Sequence, residues 1–518
     1  MAFIPIRNVG RGGIVTDQDP YDLNLTQFGS GNNVAFADGR IGKALGYTGY
    51  TTPTESPTHI QSWQVSGGSS LIYGSLTKLY KFDGSSHTNV SKTSDTFNYS
   101  TSERWQSVQA GQAVIMNNGS DAPQFLLPAG SRFADLTAWP SGMTTSCIKP
   151  YNSFLVCAGY EDGSGAYPYT VRWSDEFDPT TVPSDWNIAS TTNLAGENFL
   201  SGHNGVLVDQ KTLGGSNIIY AEHGVFAMDY IGAPLVFSFR EVFNDDGIIN
   251  RGAVASFFNR HLAVGHNDIY IHDGNSKQSV ADKRVRREFY SLEADERSVY
   301  CVEVPQRSEI WICFADNDAS DSETANRALV YNWAQEAWTF QDIPETRAMS
   351  VSDTISSVGA WDNQAATWNQ SSDYWSTLGA TTDSSTLKLF AAGTSDTKIY
   401  QMLDGYSSDG TACDSFLEIT KMDLDELTGQ ATNTIKRINQ MFPQISGDGT
   451  VYIQLGYSNA PQEGVTWMPA VPYNIGTDHK VDIRSSGRYL AMRIESSGAT
   501  DWWILNGLDI EVLEVAKR

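Results

Sequence analysis

"LIYGSLTKLYKFDG", residues 71–84, is the stretch on which the reading of the fold turns. Two short apolar runs, from Leu71 and from Leu79, flank a polar turn, and Asp83-Gly84 follows as a pair suited to tight turns. A hairpin of this kind cannot bury its apolar surface alone. Outward along the chain the same plan returns as "IIYAEHGVFAMDYIG" from Ile218, "LAVGHNDIYIHDG" from Leu262 and "LFAAGTSDTKIYQMLDG" from Leu389. In each copy the second run carries an aromatic residue (Tyr80, Phe226, Tyr270, Tyr400) and an Asp follows (Asp83, Asp229, Asp273, Asp404). Looser copies begin at Ala113, Phe154 and Ile310. Four of the six intervals between these starts fall within roughly 40 to 50 residues, the period of propeller blades. The two longer intervals hold an insertion or a degenerate blade. Sheets set radially around an axis bury each other's faces, which answers the hairpin's need. The expectation is an all-β chain with a β-propeller over 61–410. Ring closure often builds one blade from both chain ends, so about six blades are expected.

The flanks read differently. In "GNNVAFADGRIGKALGYTGY", residues 31–50, Val34 to Phe36 is a strand, Ala37-Asp38-Gly39-Arg40 a tight turn and Ile41 the start of a return strand. Gly42-Lys43 is followed by Ala44 and lacks the spacing of a phosphate-binding loop. Residues 1–60 therefore form an N-terminal hairpin segment beside the ring. After residue 411 clean alternation takes over. Leu490, Met492 and Ile494 face one way, and Ala491, Arg493 and Glu495 the other; Leu508, Ile510 and Val512 repeat the device. Residues 411–518 are read as an antiparallel β-sandwich that forms a platform. "TKMDLDELTGQATNTIKRI", residues 420–438, is the best candidate for a short helix.

Composition narrows the class. Charged residues make up only 18% of the 518, while Gly (45), Tyr (23), Phe (22) and Trp (14) are abundant, which favours strands over helices. Lys and Arg number 35 against 60 Asp and Glu, a net charge of −25, so most of the surface should repel nucleic acid. Five cysteines without a C-x-x-C spacing read as reduced core residues of a protein made in the cytosol. No signal peptide and no membrane-length apolar run is expected.

His261, His266 and His272 share one hairpin, but spacing specifies no further ligand, so no metal is expected. Asp316 to Glu323 has Asp321 and Arg327 where a calcium loop needs Gly and Glu, and reads as an acidic loop between strands. "EGVTW", Glu463 to Trp467, is similar to the end of a sialidase Asp box, yet it occurs once and outside the ring. Asp175-Glu176 is one of many carboxylate pairs, and glycoside hydrolysis needs a set separation that sequence does not supply. No catalytic residue, cofactor or enzyme activity is assigned. Lys283, Arg284, Arg286 and Arg287 form a basic patch that reads as an inter-subunit or DNA contact. Tyr331, Trp333 and Trp338 sit around a polar turn where their rings can fill the wedge between blades.

Taken in order, several segments resemble one known group. "IVTDQDPYDLNLTQFGSGNNVAFADGRIGKALGY" is similar to the N-terminus of nozzle proteins of short-tailed bacteriophages, the tail tubular protein B and phage stabilisation group, at Thr16, Asp17, Pro20, Tyr21, Leu23, Asn33, Val34, Phe36, Asp38, Gly39, Arg40, Gly46 and Tyr47. Arg172 to Asp175 with Trp186, the segment "LVYNWAQEAW", and Gly487, Arg488, Tyr489, Trp503 and Gly507 resemble later parts of the same proteins. The resemblance implies a propeller held on a β platform, joined by the Asp38-Gly39 hairpin. It also implies a homo-hexameric ring in the virion tail, assembled in the host cytoplasm, that continues the DNA channel below an adaptor ring. Its implied partners are that adaptor, a tail fibre or spike, a needle or plug, and passing DNA held without specific binding; no membrane insertion is implied. The other reading kept open is a propeller-fold glycan hydrolase or lectin acting on host surface sugars.

Overall fold

The computed structural model describes residues 2–65, 68–100, 104–202, 205–352, 387–424 and 434–516. Nearly all regular structure is antiparallel sheet, and no sheet closes into a barrel. Five sheets are four-stranded meanders in strict chain order, one has seven strands, and two have six.

All seven hairpins of the sequence form. Each supplies the middle of a meander, as in His59–Val65, Gly68–Gly74, Leu79–Phe82, His87–Asn89 for the first. The next four begin at Gln106–Ala110, Thr144–Tyr151, Leu207–Leu213 and Val254–Phe257. The sixth and seventh share the sixteen-residue strand Ala337–Ser352. Its first half pairs with Ala325–Asn332 and its second with Lys388–Gly393. The expected merging of an N-terminal strand with the last hairpin occurs: Tyr47–Thr51 pairs with Lys398–Met402 and supplies the outer strand that this hairpin lacks. The meanders among the described residues nevertheless number seven, where about six units were expected.

Neighbouring pairs of residues on the middle strands explain the packing. Successive strand residues point to opposite faces. Leu71 enters one apolar cluster and Ile72 the next; Leu155 and Val156, Ile218 and Ile219, and Ile312 and Trp311 divide in the same way. Each meander is thus buried on both faces, against the one before and the one after, and its middle strands are apolar without alternation. The first strands abut in sequence from the first meander to the fourth and from the fifth to the seventh, and the seventh meets the first. Lys211 Nζ donates to the Val254 carbonyl at 3.4 Å between the fourth and fifth.

The two six-stranded sheets mix the chain's ends. Ala2–Arg7, Val34–Ala37 and Arg40–Lys43 join Ile435–Asp448, Ser485–Gly487 and Trp502–Ala516. Ser30–Asn32 joins Ser415–Met422, Tyr489–Ser496 and Thr450–Ser458. Phe36, Ile41, Leu417, Ile453, Ile494, Leu505 and Ile510 share one core, so the two sheets face each other. The helix expected over 420–438 is not found where the chain is described. Ser415–Met422 and Ile435–Asp448 are strands, drawn into the two sheets, and residues 425–433 lie outside the described residues. Among the described residues the α-helix is Arg286–Leu292, which begins at the end of the segment read as a basic patch.

Candidate functional site

The hairpin of residues 34–43 turns at Asp38 (φ 51°) and Gly39 (φ 72°), two consecutive left-handed residues as the Asp-Gly pair requires. Its return strand pairs with the last strand at Gly42 and Ile504. The Gly39 carbonyl accepts from the Gly10 amide at 3.0 Å. Just before the hairpin, Asn33 ties three segments. Its Nδ2 donates to Asp342 Oδ2 and to the Asp414 carbonyl, both at 2.7 Å, and its Oδ1 accepts from the Asp342 amide at 2.8 Å.

The aromatic segment lies at the same junction. Tyr331 and Trp338 are buried with rings 4.6 Å apart. Trp338 Nε1 donates to the Val280 carbonyl of the fifth meander at 3.1 Å, and its own carbonyl accepts from Ile14 at 2.9 Å. Trp333 packs on Phe257, 5.4 Å away, in the fifth meander. These rings do fill the space between two meanders. On the other side Tyr489 meets Tyr21 edge to face at 5.5 Å. A Cβ on Gly487 would lie 2.7 Å from that of Tyr457, so this strand approaches its neighbour as only glycine permits. The Arg488 carbonyl accepts from buried Lys436 at 3.3 Å. Arg40 sits at the hairpin turn, where its carbonyl crowds Gly10.

The basic patch is largely occupied within the chain. The Arg284 carbonyl accepts from the amides of Thr16 (2.7 Å) and Asp17 (3.1 Å), and its guanidinium donates to the Gly12 carbonyl at 3.1 Å. Arg286 pairs with Asp282 at 2.8 Å, and the Arg287 amide donates to Asp17 at 2.9 Å. The Lys283 carbonyl accepts from Gln18 at 2.8 Å, while its side chain and that of Arg287 are exposed. The segment thus fastens the N-terminus to the ring.

The histidines form a buried relay. Gly274 N–H donates to His272 Nδ1 and His261 Nε2 faces the Thr212 carbonyl, which fixes both tautomers. His272 Nε2–H therefore donates to Tyr220 Oη (2.6 Å), whose hydroxyl donates to His261 Nδ1 (2.7 Å). Burial pulls His261 down to about 3 and His272 to about 4, so both are neutral. His266 lies apart, 3.1 Å from Glu296. Among the described residues no group of three or more His, Cys, Asp or Glu is placed to hold a metal. In the acidic loop Asp321 pairs with Arg347 (2.6 Å), Glu323 with Arg297 and Asp316 with Arg327 (3.6 Å). Asp175 accepts from the Leu194 amide at 2.9 Å. Glu463 accepts from the Asn459 amide at 2.9 Å and stays outside the meanders. All five cysteines are free thiols, and no helix among the described residues is long and apolar enough to cross a membrane.

A feature the sequence reading missed lies where the first strands meet. A cavity of 340 Å³ is lined by residues of all seven first strands. At or just before its first strand each meander contributes one basic side chain to the lining: His59, Arg104, Lys149, Lys211, Arg251, Arg297 and Arg347. The lining carboxylates are Asp209 and Glu323. Lys149 and Asp209 meet at 2.5 Å. Against the burial of both, each holds the other charged, the lysine above its ordinary value and the carboxylate below. Lys211 pairs with Glu303 at 2.7 Å, and Arg251 donates to the Ser146 carbonyl at 2.6 Å. Burial lowers Arg104 to about 10; Glu323 opposes this, while Arg251, Arg347 and Arg297 add to it. The signal was present as basic residues recurring near the hairpin period, but these positions lie outside the apolar runs on which the reading of the sequence rests.

No family model matches the chain, and no curated protein matches it. Among solved structures, a crystal structure of the computationally designed Ika8 protein aligns with 69% of this chain and 99% of its own, at 10% identity and a TM-score of 0.36. A likeness at that level carries no argument about fold or function.

Proposed function

We propose that the seven meanders are blades of a β-propeller and that the chain is a structural subunit of a tail nozzle of a short-tailed bacteriophage. The observation that carries this reading is the convergence of the segments on which the resemblance rests. The Asp38-Gly39 hairpin pairs with the last strand, Tyr21 packs on Tyr489, and Asn33 bonds to Asp342 just beyond the Trp338 segment. Residues spread over the whole length thus meet in one body, the platform and its junction with the ring. In this reading six copies form the ring, with the adaptor above and fibre, spike, needle or plug proteins below. The cavity within each propeller is far too small for duplex DNA, so the DNA passes between copies. A net charge of −25 per copy keeps phosphates from binding the wall, which is what a conduit requires. The role is passive and needs no catalytic residue or cofactor.

Negative-stain class averages with sedimentation analysis test this directly. Six-fold rings, formed alone or on addition of an adaptor, are the expected result. A particle that stays monomeric in every buffer and with every adaptor offered overturns it; reducing-sugar release from host glycans by that monomer favours the hydrolase reading.

A further inference from the structure

Among the described residues, first strands abut at every joint between neighbouring meanders but one, that of the fourth with the fifth. There polar groups reach across instead: Lys211 Nζ to the Val254 carbonyl, and the Gly252 amide to Asp209 Oδ2 at 3.0 Å. The same joint holds His223, His261, His266 and His272, four of the chain's eight histidines, so protons bear on its closure more than on that of any other joint. Tyr220 and Thr212 of the fourth meander are bonded to His261, and Tyr220 also to His272, so the buried relay crosses the joint. His223 and His266 bring their rings to 5.0 Å, one from each meander. We propose that this joint is an acid-operated seam: proton uptake by His261 and His272 parts the fourth and fifth meanders while the other joints hold. Asp209 and Lys211 on one side of the joint, and Arg251 and Val254 on the other, line the central cavity, so parting gives it a side entrance.

The relay has no place for an extra proton, because each histidine already accepts one bond and donates another. A proton on His272 Nδ1 would face the Gly274 amide, donor against donor, across 3.2 Å. A proton on His261 Nδ1 would turn the Tyr220 hydroxyl away and leave its hydrogen without an acceptor. Either charge would also lie buried. Parting the meanders gives the rings to water and removes both costs. The surroundings offer little relief. Lys149, Lys211 and Lys277 face the relay, each paired with a carboxylate: Asp209, Glu303 and Asp245. Arg240 reaches the Gly274 carbonyl and pairs with Asp229, and Asp273 favours a proton on His272. The rings of Phe243 and Tyr270 lie 5.5 and 5.9 Å from His272. Around Tyr290, Glu296 bonds to His266, while Asp246, Asp268 and Glu293 are raised mainly by burial and oppose opening in acid. Below pH 6.5 the open joint binds protons that the closed one refuses, so opening grows by up to about tenfold per pH unit for each relay histidine. His59 and His87 also bond across joints, to Ser107 and Thr51, but there the first strands abut. The inference does not rest on the nozzle reading, since any role of the chain leaves this joint in place.

The test is hydrogen exchange of the full chain, read by mass spectrometry and expressed as protection factors, which divide out the intrinsic pH dependence of amide exchange. Between pH 7 and pH 5, protection over Ser216–Ala221, Arg260–Val264 and Ile269–His272 should fall by about tenfold or more. Glu309–Phe314 and Lys388–Gly393, in the sixth and seventh meanders, which carry no histidine, should keep theirs. Glutamine retains a donor and an acceptor without titrating in this range. His261→Gln and His272→Gln should therefore each lessen the fall, and the double variant should abolish it. If the double variant fails to fold, the two single variants still decide. Protection that stays constant at the joint, or that falls equally in all seven meanders, overturns the proposal. A full fall retained in the folded glutamine variants also overturns it, because the protons then act elsewhere.

Discussion

The meanders and the platform are both antiparallel sheet, but they solve burial in opposite ways. In a meander the middle strand is buried on both faces: Leu155 and Val156 are adjacent, fully buried and members of different clusters. In the platform one face is wet. Val451, Ile453 and Leu455 are buried, whereas Tyr452 between the first two is 41% exposed. The difference sets how each region depends on distant sequence. A meander forms from about 40 consecutive residues and needs its neighbours only to cover it. The platform has no local solution, because its strands come from residues 2–43 and 415–516 and pair across the whole chain.

The largest break in that contrast comes from removing residues 1–51. The deletion takes away four platform strands and also Tyr47–Thr51, the closing strand of the seventh meander. If the ring depends on that strand, the truncated chain should be insoluble or aggregated on size exclusion. A soluble monomer with wild-type circular dichroism and a cooperative melt would show the ring independent of the N-terminus.

Single substitutions sharpen the comparison. Trp311 is wholly buried between the sixth and seventh meanders, with its Nε1 on Glu309 at 3.1 Å. Trp311→Ala should cost about 3–5 kcal/mol, seen as a fall in the denaturant midpoint. Tyr452→Ala, on the wet face of a platform strand, should stay within about 0.5 kcal/mol.

The relay between the fourth and fifth meanders adds a pH dependence. His261 and His272 lie below their ordinary 6.5, at about 3 and about 4. The unfolded chain therefore takes up protons below pH 6.5 that the folded chain refuses. The stability these neutral rings confer is complete above pH 6.5 and is lost as pH falls from 6.5 towards 4, at up to about 1.4 kcal/mol per unit for each. Glu293, raised to about 7 mainly by burial, works the other way between pH 4.5 and 7. The comparison is therefore made between variants: His272→Gln should flatten the slope of unfolding free energy between pH 6.5 and 5 relative to wild type. An unchanged slope would mean that His272 is charged or solvated.

The sequence made the hairpins legible because their information is local. Turn residues, runs such as "LIYG" and the recurring period all lie within one unit, and every one of the seven hairpins stands where it was read. Alternation likewise placed Leu490, Met492 and Ile494 on a buried face. What failed was non-local. That Tyr47–Thr51 closes a seventh unit, so that the count is not reduced to six, depends on a partner about 350 residues away. The segment around 420–438 has helical composition, but its ends are held by sheet partners at Tyr489–Ser496 and Trp502–Ala516. The cavity was hidden for a further reason: its basic residues recur only at the loose interval of the hairpins, and only the meeting of the first strands brings them together.

The smallest effect concerns the basic patch, where ring and platform meet. Arg286 is about one-third exposed and pairs with Asp282 one turn away at 2.8 Å. An exposed pair of this kind contributes at most about 1 kcal/mol. Arg286→Ala should therefore barely move the melting temperature. Arg284 differs, because its guanidinium reaches the Gly12 carbonyl and its own carbonyl holds Thr16 and Asp17. The backbone bonds survive substitution, so Arg284→Ala should loosen the N-terminal segment without unfolding the ring. Faster amide exchange confined to residues 12–17 is the expected signature. Equal exchange in both variants and wild type would mean that the backbone contacts alone fasten the N-terminus, and that the patch's charges are free for a neighbouring copy.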